Sequence, residues 1–156
     1  MAIALTLQQY FTDNGITYET LSHPYTTSAS KTAQASHVPG DRIAKAVVVK
    51  KDDDYLLAVL PASHHILFGN LRKLLDRPVD LATEEEVETL FSDCELGAIP
   101  PIGKAYGLEV VLDESLSGDD DFFFEGGDHA TLVQVSAAEF GKMMENVQQG
   151  RFSRHD

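Results

Sequence analysis

The clearest structural pattern in the chain is RIAKAVVVKKDDDYLLAVLP, from Arg42 to Pro61. Two runs of apolar and β-branched residues, 43–50 and 55–60, predict two strands. The acidic residues 52–54 between them predict a turn, and a connection this short joins antiparallel neighbours. A β-hairpin is therefore expected here, with one lysine, Lys45, among the apolar residues near its start.

Outward from this hairpin, helices and strands follow one another without regular βαβ alternation. Helices are predicted over residues 5–14, 70–75 and 137–148. A short helix is predicted within residues 26–40, and another within residues 81–93 that begins after Thr83. Further strands are predicted over residues 16–23 and 108–113, and on both sides of EGGD at 125–128. Thr83 and Ser136 are the expected N-caps of the last two helices, and Gly15 is the expected end of the first. This order predicts an α+β fold with a mixed or largely antiparallel sheet.

Length and composition favour one soluble domain over residues 1–156, with 43% hydrophobic and 24% charged residues. A single cysteine makes an internal disulfide impossible and favours a reducing, cytoplasmic setting. The N-terminal residues do not have the pattern of a signal peptide, and no apolar run is long enough to span a bilayer, so no membrane partner is expected. The net charge of −13 argues against broad, sequence-blind binding to nucleic acid, although it allows a local basic patch.

The motifs of common hydrolases, metalloproteases and nucleotide-binding proteins are absent from the sequence, and we predict no cofactor and no metal site. His64 and His65 are adjacent on a predicted strand or turn, so their side chains diverge and make poor ligands for one ion. The acidic runs at 52–54 and 119–121 lack the glycine and the terminal glutamate of a calcium loop. Cys94 has no histidine close in sequence, which favours an inert thiol over a nucleophile.

Three features remain as candidates for a functional site. Lys45 is either a functional cation or a lysine that guards a strand edge against pairing. In GAIPPIG, residues 97–103, glycines let backbone amides approach a carbonyl or an anion while prolines stiffen the loop; an ordinary connection is the alternative. In EGGDHATL, residues 125–132, a Gly-Gly bend precedes His129, which is either a pocket imidazole or a structural histidine.

Taken in this order, the three features resemble the YbaK and prolyl-tRNA-synthetase-associated editing domain family. The resemblance covers about residues 6–147 and is carried by KTAQASHVPGDRIAKAVVVK, YLLAVLPASHHI, ELGAIPPIG and FFFEGGDHATLVQVSAAEF. The family pattern has a lysine on the strand that follows a helix, a GxxxP loop, and a glycine-rich bend before the final strand and helix. The matching residues here are Lys45, Gly97 through Pro101, Gly126, Gly127 and His129.

The resemblance implies a single-domain α+β fold around a curved mixed sheet, and hydrolysis of the ester that joins a mischarged amino acid to tRNA. Free-standing members act in trans and clear alanine, cysteine or other small residues, which binding alone sorts poorly. It also implies catalytic positions at Lys45, Gly97 and His129. The implied substrate-binding positions are Ala98, Ile99, Pro100, Pro101, Gly126, Gly127 and Lys31.

The implied partners are the acceptor end of an aminoacyl-tRNA and a synthetase, such as prolyl-tRNA synthetase. Ile102 stands where many members carry an aromatic residue, and an Asp before His129 resembles the alanine-clearing subgroup more than the cysteine-clearing one. Binding of tRNA by this acidic chain requires either help from a synthetase or a convergence of basic residues. Those residues are Lys31, Arg42, Lys45, Arg72 and Lys73. A non-catalytic binding module and a hydrolase of another small ester stay open as alternatives.

Overall fold

The computed structural model describes residues 3–156, except for the side chain of Ser30. Five α-helices form within this part of the chain: α1 (Leu5–Asn14), α2 (Ala29–Ser36), α3 (Phe68–Leu75), α4 (Glu84–Leu90) and α5 (Ala137–Met143). The strands are β1 (Glu19–Ser22), β2 (Ala44–Lys51), β3 (Asp54–Pro61), β4 (His64–Ile66), β5 (Val79–Leu81), β6 (Glu109–Asp113), β7 (Phe122–Glu125), β8 (Thr131–Val135), β9 (Gln148–Gly150) and β10 (Ser153–His155). None of the helices between residues 3 and 156 is both long and apolar enough to cross a membrane.

The hairpin predicted from the opening stretch forms the centre of a five-stranded mixed sheet with the order β5-β2-β3-β6-β9. Its two strands pair in antiparallel register from Ala44 opposite Pro61 to Lys51 opposite Asp54. β5 adds to β2 in antiparallel fashion, whereas β6 and β9 add on the other side as parallel strands. The predicted α+β fold with a mixed sheet is confirmed.

Two smaller sheets complete the fold. β1, β8 and β7 form an antiparallel three-stranded sheet, and β10 pairs with β4. A single parallel bridge between Ile43 and Phe123 joins the start of β2 to β7. This junction brings the first residues of the hairpin beside the strand that ends at Glu125.

The core lies on both faces of the central sheet, because side chains alternate between faces along a strand. On β3, Leu57 and Val59 belong to the larger apolar cluster, together with residues of α1 and α5. Leu56, Ala58 and Leu60 belong to a second cluster, which includes Leu71 of α3. Burial on both faces explains why this strand is a continuous apolar run in the sequence.

The helix boundaries follow local signals where these are strong. Gly15 ends α1 in the left-handed conformation, with a φ of 60°. Thr83 and Glu86 form a reciprocal capping box at the start of α4, and the Ser136 side chain caps α5. The prediction that the last helix extends to residue 148 was wrong. The helix ends at Met143, Asn146 takes a φ of 66°, and the chain then pairs with β6 as β9.

Candidate functional site

A cavity of about 220 Å³ lies where the start of β2 meets α2, the loop after α4 and the end of β7. This volume is below the roughly 300–1,000 Å³ of sites for drug-sized ligands, so the cavity suits a small group. Its wall is formed by Thr27, Ser28, Ala29, Thr32, Ile43, Ala44, Lys45, Ala46, Gly97, Ile99 and Glu125. The wall is therefore mostly apolar, with one cationic and one acidic side chain.

Lys45 is half-buried in this cavity, and its Nζ donates a hydrogen bond to the carbonyl oxygen of His64 on β4 at 2.5 Å. Burial lowers the pKa of Lys45 from its ordinary value, and the nearby carboxylate of Asp156 acts in the opposite direction. An ammonium group has three donors. The bond to β4 engages one of them, and the Lys45 side chain lines the cavity.

Gly97 lies at the mouth of the cavity with a φ of +82°, a conformation that favours glycine. A Cβ atom at this position would lie 3.1 Å from Cε1 of His129. The Ala98 amide donates to the carbonyl of Glu95 at 3.1 Å and is committed to the turn. Pro100 and Pro101 are buried and have no N–H. The loop amides suited to a ligand are therefore those of Gly97 and Ile99, the two loop residues that line the cavity.

His129 is buried, with 3% of its surface exposed, and it lies behind the Gly97 loop without lining the cavity. Its Nε2 donates to the carbonyl of Leu96, because a carbonyl oxygen can only accept. Its ring packs against that of Tyr25 in a T-shaped arrangement, with the centroids 5.4 Å apart. His129 also lines a separate surface depression of about 590 Å³. This arrangement lets His129 position the loop.

Gly126 and Gly127 are buried, and neither lines the cavity. The carbonyl of Gly126 accepts from the amide of Ala4 at 2.8 Å, and a Cβ at this glycine would lie 2.5 Å from Cγ2 of Ile3. The carbonyl of Gly127 accepts from the amide of Glu95 at 2.8 Å. The Gly-Gly bend therefore supports the turn before Gly97 and packs against the N-terminal segment.

The basic residues expected to converge have different environments. Lys31 is exposed on α2, the helix whose start lines the cavity. Arg42 donates to the carbonyls of Ser117 and Asp121 at 2.8 and 3.2 Å, and its guanidinium lies 4.0 Å from the ring centroid of Phe122, so it holds the acidic loop before β7. Arg72 is 3.6 Å from Asp80, and Lys73 is exposed on the same helix, α3.

A buried polar cluster that no sequence motif indicated contributes Thr32 and Glu125 to the cavity wall. Oε1 of Glu125 accepts from Oγ1 of Thr32 at 2.9 Å and lies 3.1 Å from Nε2 of His23. Burial raises the pKa of Glu125, and the neighbouring Thr32, His23 and His129 partly offset this effect. His23 and Thr32 lie 102 and 93 positions from Glu125 in the sequence, and the three residues share no motif. The acidic residue before the Gly-Gly bend was visible in the sequence, but only as part of a turn.

Comparison with known proteins relates this geometry to one family. The sequence model of the aminoacyl-tRNA editing domain matches residues 23–143. A proline–tRNA ligase from Geobacillus sp. (strain WCH70) is 27% identical over 99 residues, which cover 63% of this chain and 17% of that ligase. The chain therefore matches less than a fifth of the length of such curated relatives.

Solved structures share the whole fold. The crystal structure of the hypothetical protein APE2540 has a TM-score of 0.82 and 21% identity, and the match covers 96% of this chain and 99% of that one. The structure of a candidate trans-editing enzyme for prolyl-tRNA synthetase has a TM-score of 0.82 and 24% identity, over 96% of this chain and 95% of that one. At these identities, the likeness concerns the fold alone.

Proposed function

The chain belongs to the aminoacyl-tRNA editing domain family, and from this premise we propose that it is an aminoacyl-tRNA deacylase. It hydrolyses the ester between a small mischarged amino acid, alanine before cysteine, and tRNA for proline. A hydrophobic synthetase pocket rejects smaller amino acids poorly, so a second site that admits only small ones is needed. We further propose that residues 1–156 form a single editing domain that acts in the cytoplasm in trans, with a synthetase contributing to tRNA binding.

The observation that carries this proposal is the shared cavity of Lys45 and the Gly97 loop. Its 220 Å³ and its alanine-rich wall suit a small acyl group and leave little room for a large one. The Lys45 ammonium lies at one side of the cavity, where it can attract the anionic acceptor end of tRNA. Hydrolysis also requires hydrogen-bond donors for the developing oxyanion, and in this proposal the loop amides of Gly97 and Ile99 supply them.

The chemistry of the proposed reaction is mainly one of positioning. Burial raises the pKa of the Cys94 thiol to about 12, and this residue does not line the cavity, so it is a poor nucleophile. A water molecule, assisted by a ribose hydroxyl of the substrate, attacks the ester carbon while the loop amides hold the carbonyl oxygen. Lys45 orients the acceptor end, and His129 acts as a positioning residue by fixing the loop through Leu96.

The remaining predicted contacts have supporting roles in this proposal. Pro100 and Pro101 stiffen the loop, and Ala98 anchors its turn. Gly126 and Gly127 let the neighbouring segments pack closely. The exposed Lys31 is placed to meet a phosphate outside the cavity.

The test is deacylation of a panel of charged tRNAs: alanyl, cysteinyl and seryl on tRNA for proline, and alanyl and seryl on their own tRNAs. Wild type is compared with Lys45→Met, which keeps the apolar stem and removes the charge. Lys50→Met is the matched control on the same strand, because Lys50 lies outside the cavity and pairs with Glu86 at 3.2 Å. We expect clearance of one mischarged species, a loss of at least about 100-fold in kcat/KM for Lys45→Met, and no change for the control.

Absence of clearance of every species by the folded wild type would refute the deacylase and favour the binding module. Clearance that persists in Lys45→Met would remove this lysine from the mechanism and would return it to the role of a strand-edge charge. Removal of alanine from its own tRNA as efficiently as from tRNA for proline would refute the proposed tRNA specificity.

A further inference from the structure

The carboxylate of Glu125 is satisfied on one oxygen only. The residue is 93% buried, with 7% of its surface exposed, and it forms part of the cavity wall. Oε1 has two partners, Thr32 and His23. Among the described residues, Oε2 is the buried side-chain oxygen that has no hydrogen-bond partner. A buried polar atom without a partner is costly, and native proteins keep such atoms chiefly where function requires them.

The proton arrangement in this cluster explains why Oε1 is not the free acceptor. Nδ1 of His23 lies 2.8 Å from the carbonyl oxygen of Pro24, which can only accept, so Nδ1 carries a hydrogen. The contact between Nε2 and Oε1 then holds one further proton, shared between His23 and Glu125. With the Thr32 hydroxyl also donating, Oε1 is fully engaged. The second oxygen is the one that remains for a ligand.

The charges of the cavity define the ligand that this oxygen suits. The rest of the wall near Glu125 is apolar or hydroxyl-bearing, and Lys45 supplies the cationic side chain. An ammonium group that enters such a space needs a compensating anion, since burial of an unpaired charge is very costly. In the proposed reaction, the acyl group carries an α-amino group that is largely protonated near neutral pH.

We infer that Glu125 recognises the α-ammonium group of the aminoacyl moiety, and that His23 and Thr32 hold its carboxylate in the orientation for this contact. The inference rests on the proposed deacylase function. The carboxylate of Glu125 then binds the cationic acyl end of the substrate, and the ammonium of Lys45 orients its anionic nucleic-acid end. Acyl groups without an amine lose the first contact.

The experiment compares alanyl-tRNA with lactyl-tRNA, in which a hydroxyl replaces the amine, each rate being divided by its uncatalysed hydrolysis rate. A charge-assisted hydrogen bond predicts that wild type prefers the alanyl ester by about 10- to 100-fold in kcat/KM. Glu125→Gln keeps the shape and removes the charge, so it should abolish this preference by lowering the alanyl rate, with the lactyl rate within about twofold of wild type. Glu109→Gln, an exposed carboxylate on β6, should leave both rates unchanged.

An equal loss for both esters in Glu125→Gln would overturn the inference, because a structural role or a general-base role affects both substrates alike. Thr32→Val serves as a second variant that retains the carboxylate and removes the hydroxyl that orients it. We expect a smaller loss that is again confined to the alanyl ester. If Glu125→Gln fails to fold, the wild-type preference and Thr32→Val still decide, since a wild type without preference overturns the inference.

Binding of 3′-(L-alanylamino)-3′-deoxyadenosine, an amide that resists hydrolysis, separates the inference from the proposed function. The amine-free lactyl amide is its control. One outcome is that wild type hydrolyses no ester but binds the alanyl amide at least tenfold more tightly than the lactyl amide, and that Glu125→Gln removes this difference. That outcome would refute the deacylase function and support recognition of the amine by Glu125. If hydrolysis occurs and the amine makes no difference in either assay, the recognition of the amine by Glu125 is refuted and the deacylase function is supported. If neither hydrolysis nor binding occurs, both hypotheses are refuted.

Discussion

Replacement of Gly97 by alanine tests the geometry of the loop that closes the cavity. Its φ of +82° costs an L-residue about 1–2 kcal/mol. A Cβ would also lie 3.1 Å from Cε1 of His129 and 3.6 Å from the carbonyl oxygen of Thr27. The histidine ring is buried and bonded to Leu96, so its displacement sacrifices a hydrogen bond of about 1 kcal/mol. Together these effects predict a loss of about 2–3 kcal/mol in the free energy of unfolding.

Urea denaturation followed by circular dichroism measures this loss. Gly141→Ala is the matched control, because this glycine lies within α5 with open space around its Cβ position, and it should gain about 0.5–1 kcal/mol. In a His129→Asn background the ring contact disappears, and asparagine tolerates the positive φ of position 129. Gly97→Ala should then cost only about 1–2 kcal/mol. An equal loss in both backgrounds would refute the contact between the loop and His129, and no loss in either would refute the backbone conformation.

Two further predictions concern groups outside the cavity. Hydrogen bonds hold the pKa of Glu86 at about 2, against an ordinary 4.5. The bond from the Thr83 amide has the largest effect, and the bond from the Tyr55 hydroxyl has the next largest. The contribution of the ionised Glu86 to stability is therefore full above pH 4.5 and is lost as the pH falls through about 2. The difference in Tm between wild type and Glu86→Gln should shrink from pH 6 to pH 2. A constant difference would contradict this prediction. Burial raises the pKa of Cys94 from 9.0 to about 12, which lowers its thiolate fraction at pH 8 but makes the thiolate more nucleophilic. Its disulfide exchange with Ellman's reagent should therefore be about 30- to 60-fold slower in the folded than in the urea-unfolded chain. Equal rates in the two states would show that the thiol is not shielded.

The elements that were predicted correctly are those with strong local signals. The central hairpin combines two apolar runs with a short acidic turn, and its register follows from that turn. The caps at Thr83 and Ser136 form as their sequences indicate, because a cap depends only on the next few residues. The strands β5, β9 and β10 were not predicted, since each has three residues and is defined by the strand it joins.

The candidate site was predictable in part. Lys45, Gly97 and Ile99 were singled out from the sequence, and they line one cavity. His129, Gly126 and Gly127 were also singled out, but the structure places them behind the loop, where they support it. Their roles in the reaction stay predictions. A glycine in a bend and a histidine at a strand start have the same appearance in a sequence whether they face a ligand or a neighbouring segment.

Local sequence patterns are sufficient to predict the hairpin, the α+β class and the loop that carries Gly97, because periodicity, turn residues and caps act over a few residues. The bridge from Ile43 to Phe123, which brings β2 beside β7, is visible only in the folded chain. That pairing places Glu125 in the same cavity wall as Lys45, with His23 and Thr32 as its partners. These contacts join residues about 80 to 100 positions apart, and their partners are chosen by the packing of whole sheets, which no local pattern encodes.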